Sequence, residues 1–379
     1  MKLKRICKVG GQATGFTLIE LVLASGLLAI LMIGVFALID GSLSLWRRTE
    51  TRRNLTEQGS GVMELLSRDL RALDGGSRGD LLVEWVQFDT DGDGLKEMGW
   101  PRMRFVRQAS RAELTRMFPT VIEEETKSAE ETPGQETPAA AVDPISGPGL
   151  IEVCWAVVPM SKKDPERRSE GLLYRGARLL NGAGESFFAK SFIRGDGAPR
   201  VEELDEVTGG LLWIEPLLAT QTSIVHNDWE LGTQPDQVVS SWDAWVSGRP
   251  DDSVHSWNAA SRHMPLAKDR ALLPRRIRVA LEFERDVDRQ RRPKSAQVIE
   301  LTDVGFDVDD GERLPDPGAF IKIEGEWMEV LRITGDRVTV KRGQRGTQTV
   351  MHDPGLLVHW GLPLMREVPV ALYREDWDL

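Results

Sequence analysis

An unbroken apolar run near the start of the chain limits what it can fold into more than any other feature. Residues 16–39 read FTLIELVLASGLLAILMIGVFALI, 24 residues with a single charge, Glu20. A helix rises ~1.5 Å per residue, so the run spans roughly 36 Å, enough to cross a bilayer core with some tilt. A secretory signal has a shorter apolar stretch, about 7–15 residues, with a small-residue cleavage site on its far side. Here the far side holds Asp40, Gly41, Trp46, Arg47 and Arg48, and a helical pattern continues beyond it. A buried core helix does not account for the basic preamble, residues 1–15, which contains Lys2, Lys4, Arg5 and Lys8 and no acid. The segment therefore reads as a membrane span with a cytoplasmic N-terminus under the positive-inside rule. Arg47, Arg48, Arg52 and Arg53 on the other side weaken that orientation argument taken alone, but the large acidic part after them fits an extracytoplasmic location.

Glu20 is the one group in the run that lipid should reject. An ionised carboxylate in hydrocarbon costs several kcal/mol unless it is paired or neutralised, so it marks function by default. Snorkelling to the headgroups is the alternative, permitted by its place near the helix start. Gly15-Phe16-Thr17-Leu18-Ile19-Glu20, followed by Leu21-Val22-Leu23-Ala24, resembles the cleavage and methylation signature of type IV pilins and type II secretion pseudopilins. The resemblance implies that a prepilin peptidase cuts between Gly15 and Phe16 and methylates the new amine of Phe16. It also implies that Glu20 neutralises the N-terminal amine of a neighbouring subunit during assembly. A buried ammonium and a buried carboxylate are each costly alone and tolerable together. Many major pilins carry a proline midway along this helix; residues 16–70 contain none.

Beyond the span, Leu55, Val62, Leu66, Leu70 and Leu73 mark one apolar helix face, with Met63 and Leu65 beside it. Gly59 and Gly61 are candidate bend points, and Asp74-Gly75-Gly76 ends the pattern. After Gly79 the period changes to two. Strands are expected at 81–88, 102–107, 151–158, 171–179, 211–214 and 277–284, where Ile277, Val279, Leu281 and Phe283 alternate with polar residues. The fold class expected is α+β: a long N-terminal pilin helix, membrane span plus amphipathic half, packed on an antiparallel β-sheet domain. The expected organisation is a leader at 1–15, the helix at 16–73, a β-rich domain at 80–299, a small all-β module at 300–361 and a C-terminal strand or tail at 362–379. Within the β-rich domain, residues 123–150 are acidic and rich in Pro, Ala, Thr and Gly, the composition of an exposed disordered insertion. Residues 224–265 hold Trp229, Trp242, Trp245 and Trp257 without a clean period and read as an irregular, loop-rich segment.

The small module has its own pattern. Gly325-Glu326-Trp327, then Arg342-Gly343-Gln344-Arg345-Gly346-Thr347, then His352 resembles a β module recurrent in phage tail and other surface proteins. That resemblance supplies no activity.

Little in the chain points to catalysis. Five histidines lack metal-ligand spacing, and no P-loop, G-x-S-x-G or G-x-G-x-x-G occurs. The net charge of −11 argues against nucleic acid as a partner, since phosphate binding needs a basic face. Only Cys7 and Cys154 are present, so loss of the leader would leave no intramolecular disulfide. One constellation suits an oxygen-seeking ion such as Ca²⁺: Asp89, Asp91, Asp93 and Glu97 match the first half of an EF-hand loop, with Gly94 at its sharp turn. Trp100 stands where the bidentate glutamate belongs, and an Asx/Gly hairpin turn needing no ion explains the same residues.

The function expected is a structural, non-enzymatic one: a minor pseudopilin, most like the J subunit, at the tip of a short type II secretion filament. A minor pilin of a type IV pilus or DNA-uptake system shares every N-terminal argument, and a surface ligand-binding protein on a pilin anchor is a third reading. The partners implied are the prepilin peptidase, other pseudopilins or pilins met through the helix, and the inner-membrane assembly platform.

Overall fold

The strands after residue 80 follow one another by antiparallel pairing, and the computed structural model shows how far that pairing extends. It describes residues 18–90, 94, 96, 98–119, 149–164, 167–180, 182, 185–219, 238–245 and 271–371. The chain divides into two compact units, Met1–Asn54 and Leu55–Leu379. One helix, α1 (Leu18–Arg71), supplies all the described structure of the first unit and enters the second.

The second unit is dominated by a nine-stranded antiparallel sheet. Its strands are β1 (Leu81–Phe88), β2 (Met98–Ala109), β3 (Gly149–Pro159), β4 (Gly171–Leu179), β5 (Asp205–Ala219), β6 (Val238–Val239), β7 (Trp242–Asp243), β8 (Arg276–Phe283) and β13 (Leu362–Pro369). They lie in the order β13-β8-β5-β4-β3-β2-β1-β7, with β6 paired to β5. The sheet curls into a half-barrel, as accumulated strand twist over many strands favours. A second sheet, order β10-β11-β12-β9, is built from β9 (Gly305–Asp307), β10 (Phe320–Ile323), β11 (Glu326–Thr334) and β12 (Arg337–Gln344). It has its own apolar cluster around Ile299, Phe306, Ile321, Met328, Val338 and Val358.

This architecture overturns the α+β expectation of a long helix laid along a sheet. The fold is mostly antiparallel β. In the second unit, Val62, Met63, Leu66 and Leu70 near the end of α1 join the main core. Leu73, expected to end the helix, instead forms a bridge with Arg107. The physical reason is that the sheet covers itself by other means. Along β3, Ile151, Val153, Trp155 and Val157 enter the main core, while Cys154, Ala156 and Val158 face a second cluster. That second cluster is completed by Phe187, Phe192 and Leu204, which come from the connection between β4 and β5. A curled sheet brings its inner residues together, and an apolar connection covers the outer face, so a few helical turns suffice.

Two glycines explain local geometry. Gly59, a candidate bend point, sits inside continuous helix; a Cβ there would meet Leu364 Cδ1 at 2.1 Å, so its smallness permits close approach of α1 to β13. Gly210 has φ +68°, and a Cβ would meet the Glu284 carbonyl oxygen at 2.2 Å, beside an irregularity in β5 pairing.

Candidate functional site

The N-terminal segment is described from Leu18 onward, so Gly15 and Phe16 lie outside the described residues, and of Glu20 only its helical backbone is described. Within α1, Leu21–Ile39 has a mean hydropathy of 2.7 and no buried residue. By length and composition it is the one described helix able to cross a membrane. Leu18, Ile19, Leu21, Leu27, Ile30, Ile33, Phe36 and Leu38 are all more than half exposed. Burying one such side chain is worth roughly 1.5–3 kcal/mol, so these exposed side chains favour an apolar environment over water.

The Asp/Gly loop joins β1 to β2. Asp89 accepts a hydrogen bond from the Gly94 N–H at 2.9 Å, a turn contact, while Asp91, Asp93 and Glu97 lie outside the described residues. Gly94 has φ +91°, the left-handed region expected at a sharp turn. The described residues thus place only Asp89 of the four proposed ligands.

The pattern around residues 325–352 resolves into one buried hub. Glu326 is 1% exposed and takes two bonds from Arg342, Nε to Oε1 at 3.0 Å and Nη2 to Oε2 at 2.6 Å. It also accepts from the Gly343 and Val350 N–H groups and lies 2.9 Å from His352 Nε2. The other ring nitrogen of His352, Nδ1, lies 3.0 Å from Glu324. Thr347 Oγ1 accepts from the Trp327 N–H and donates to the Gln344 carbonyl. Glu326, Trp327, Arg342, Gly343, Gln344, Thr347 and His352 of that pattern thus bond one another within the module. Burial opposes ionisation of Glu326, but His352, Arg342 and the Val350 N–H outweigh it and bring its pKa down to about 2. For His352 burial again acts first, favouring the neutral ring, and the Glu324 and Glu326 carboxylates overcome it and raise the pKa.

These shifts have opposite pH consequences. The Glu326 contribution is present above the ordinary glutamate pKa of 4.5 and is lost as pH falls toward about 2. The His352 contribution is present below 6.5 and is lost as pH rises through its raised native pKa. The prediction is that His352→Gln costs more stability at pH 5.5 than at pH 8.5. Denaturant unfolding of both proteins at both pH values measures it, and equal costs would refute the coupling.

A second polar cluster sits where the two sheets meet. Glu170, Glu284 and His359 bring potential ligand atoms within 4.8 Å of one another. Three guanidinium groups already serve them: Arg167 bonds Glu170, Arg289 lies 3.8 Å from Glu170, and Arg292 bonds Glu284. His359 Nδ1 lies 2.6 Å from Glu284. Burial opposes ionisation of Glu284, yet His359 and Arg292 prevail and keep its pKa low. A divalent cation would add charge to carboxylates that are already compensated, so the cluster reads as an ion network that ties the sheets together.

Beside it, Lys322 on β10 is 2% exposed and reaches into the main sheet. Its Nζ donates to the carbonyls of Ser169 at 2.7 Å and Leu212 at 2.8 Å, and lies 4.8 Å from the centre of the Trp100 ring. Burial lowers its pKa from 10.5 to about 7. Arg345, at φ 53°, stacks within 4.1–4.4 Å of the Trp213, Phe320 and Trp327 rings and bonds Glu282 at 2.7 Å. Such backbone strain in a non-glycine residue persists only where the surroundings fix it, and three aromatic faces and a carboxylate do so here.

Sequence reading missed these junctions because histidine spacing carries no trace of Glu284 and His359, which meet from 75 residues apart. No family model, no curated protein and no solved structure matches the chain.

Proposed function

We propose that this chain is a membrane-anchored, pilin-like structural subunit, a minor pseudopilin that joins a short filament at the inner membrane. The carrying observation is the G-F-T-L-I-E signature at residues 15–20, set between a basic preamble and an apolar run. The exposure of the apolar run Leu21–Ile39 supports it, as expected of a helix that lies first in lipid and then among neighbouring helices. The nine-stranded sheet does not contribute to this reading, which rests on the N-terminal segment.

On this proposal, Phe16 becomes the methylated N-terminus, the larger unit is extracytoplasmic, and Glu20 offers its charge to the amine of an adjoining subunit. Mass spectrometry of protein recovered from cells with an active prepilin peptidase tests the first part. The expected mature chain begins at methylated Phe16, and an intact Met1 start would overturn the assignment. Glu20→Ala should leave membrane insertion intact while reducing co-purification with other pilin-like subunits at least tenfold, because an unpaired buried ammonium costs several kcal/mol. Equal recovery of the complex would reduce the helix to an ordinary anchor.

A further inference from the structure

A cleft of about 540 Å³ opens between the β1–β2 hairpin and the loop after β12. Its volume falls in the ~300–1,000 Å³ range of small-molecule sites. Trp85 and Gln87 stand on one face of β1, two residues apart, and Lys96 comes next in the hairpin; Arg345, Thr347 and Gln348, from the loop after β12, line the cleft as well. None of these residues belongs to the N-terminal helix, so a ligand bound here is independent of the pilin-like reading.

The wall is built in a particular way. The Trp85 indole N–H donates to the Ser240 carbonyl at 3.0 Å, which fixes the ring plane and leaves its face as the feature it can offer. Gly99 pairs with Gln87 across the hairpin, and a Cβ at Gly99 would lie 2.7 Å from the Gln87 amide nitrogen, so the missing side chain makes room for that amide. Arg345 and Thr347 have partners inside the fold. Gln87, Gln348 and Lys96 are exposed at the cleft, and their side chains have no hydrogen bond or ion pair among the described residues. The available chemistry is one preset aromatic face, two amides that can each donate and accept, and one ammonium at the rim.

We propose that this cleft binds a short oligosaccharide. A sugar ring has a face of C–H groups that packs on an aromatic plane, and an edge of hydroxyls that each need a donor and an acceptor. A fixed tryptophan flanked by free amides meets both needs. A phosphorylated ligand would call for several free cations, and among the described residues the cleft has one, since the Arg345 guanidinium is held by Glu282 and three rings. An apolar ligand would leave the two amides desolvated without partners, at a cost.

The test uses the full chain in a non-glycosidic detergent, with tryptophan fluorescence and calorimetry as readouts. The probes are chito-, cello- and galacturono-tetrasaccharides. At least one should give a saturable response. Gln87→Ala and Gln348→Ala, both exposed, should each weaken it roughly 5–10-fold, and Trp85→Ala more than ~10-fold, as loss of a hydrogen bond or of an aromatic anchor implies. Arg194→Ala, in an exposed ion pair elsewhere on the surface, should leave it unchanged. No saturable response to any probe at ~10 mM would overturn the proposal, since it corresponds to affinity weaker than that of ordinary sites. So would an unchanged response in the Gln87→Ala/Gln348→Ala double variant, or binding confined to the galacturonate probe and abolished by Lys96→Ala, which would be simple ion pairing.

Discussion

Replacing Asp69 by alanine is expected to destabilise the larger unit by about 3–5 kcal/mol, the cost of breaking a buried ion pair from one side. Asp69 lies in the last turns of α1 and is fully buried. It accepts hydrogen bonds from the Trp155 indole N–H at 3.0 Å and from Arg175 Nε and Nη2 at 2.7 and 3.0 Å. Arg107 Nε stands 3.0 Å away as an ion-pair partner, out of line for a hydrogen bond, and Arg107 also pairs with Glu113. Removing the carboxylate leaves the Trp155 indole N–H and Arg175 without this acceptor and takes one of its two anionic partners from Arg107, which is 1% exposed. Asp69→Asn keeps the shape and part of the bonding, so it should cost less. Denaturant unfolding of the full chain and both variants provides the measurement. A loss below ~1 kcal/mol for Asp69→Ala, the scale of a surface ion pair, would mean that water reaches this network.

Lys322 should give the larger unit a rising stability with pH. Its native pKa of about 7 lies below the ordinary 10.5, so between these values the unfolded chain holds a proton that the native chain does not. Acidification through that window therefore favours unfolding, and the effect is complete below about pH 7. Across the window the native state gains up to about 5 kcal/mol, from the two pKa values and 1.36 kcal/mol per unit. Burial is the leading cause; Glu282 and Glu170 oppose it, and Arg345 reinforces it. Lys322→Met fills the same space, removes the titration and leaves the Ser169 and Leu212 carbonyls without their donor. The difference in unfolding free energy between wild type and Lys322→Met should therefore shift by several kcal/mol from pH 7 to pH 10 in favour of the wild type. A difference independent of pH would show that the ammonium is solvated in the native state.

Both predictions concern charges in places where hydropathy alone would put none, which separates the legible features from the hidden ones. The strands at 81–88 and 171–179 coincide with β1 and β4, because a period of two is visible in any short window. The expected strand at 211–214 is only part of a 15-residue strand, β5, whose Thr208-Gly209-Gly210 stretch hid its continuity. The tryptophans of residues 224–265 separate as well: Trp242 is fully buried with its indole N–H on the Leu272 carbonyl, whereas Trp229 and Trp257 lie outside the described residues. The α+β expectation failed for a related reason. The apolar face from Val62 to Leu70 does lie on a helix, but its partner area is set by sheet curvature and by the connection carrying Phe187 and Phe192.

By itself the sequence determined the apolar run, the charge around it and the local alternation of the strands, since each depends on neighbours along the chain. The tertiary structure alone decided that antiparallel sheet dominates, that Asp69 and Lys322 are buried, and that Trp85 and Gln348 line one cleft. Contacts between residues 86, 106 or 153 positions apart make those outcomes, and no window of sequence contains both partners.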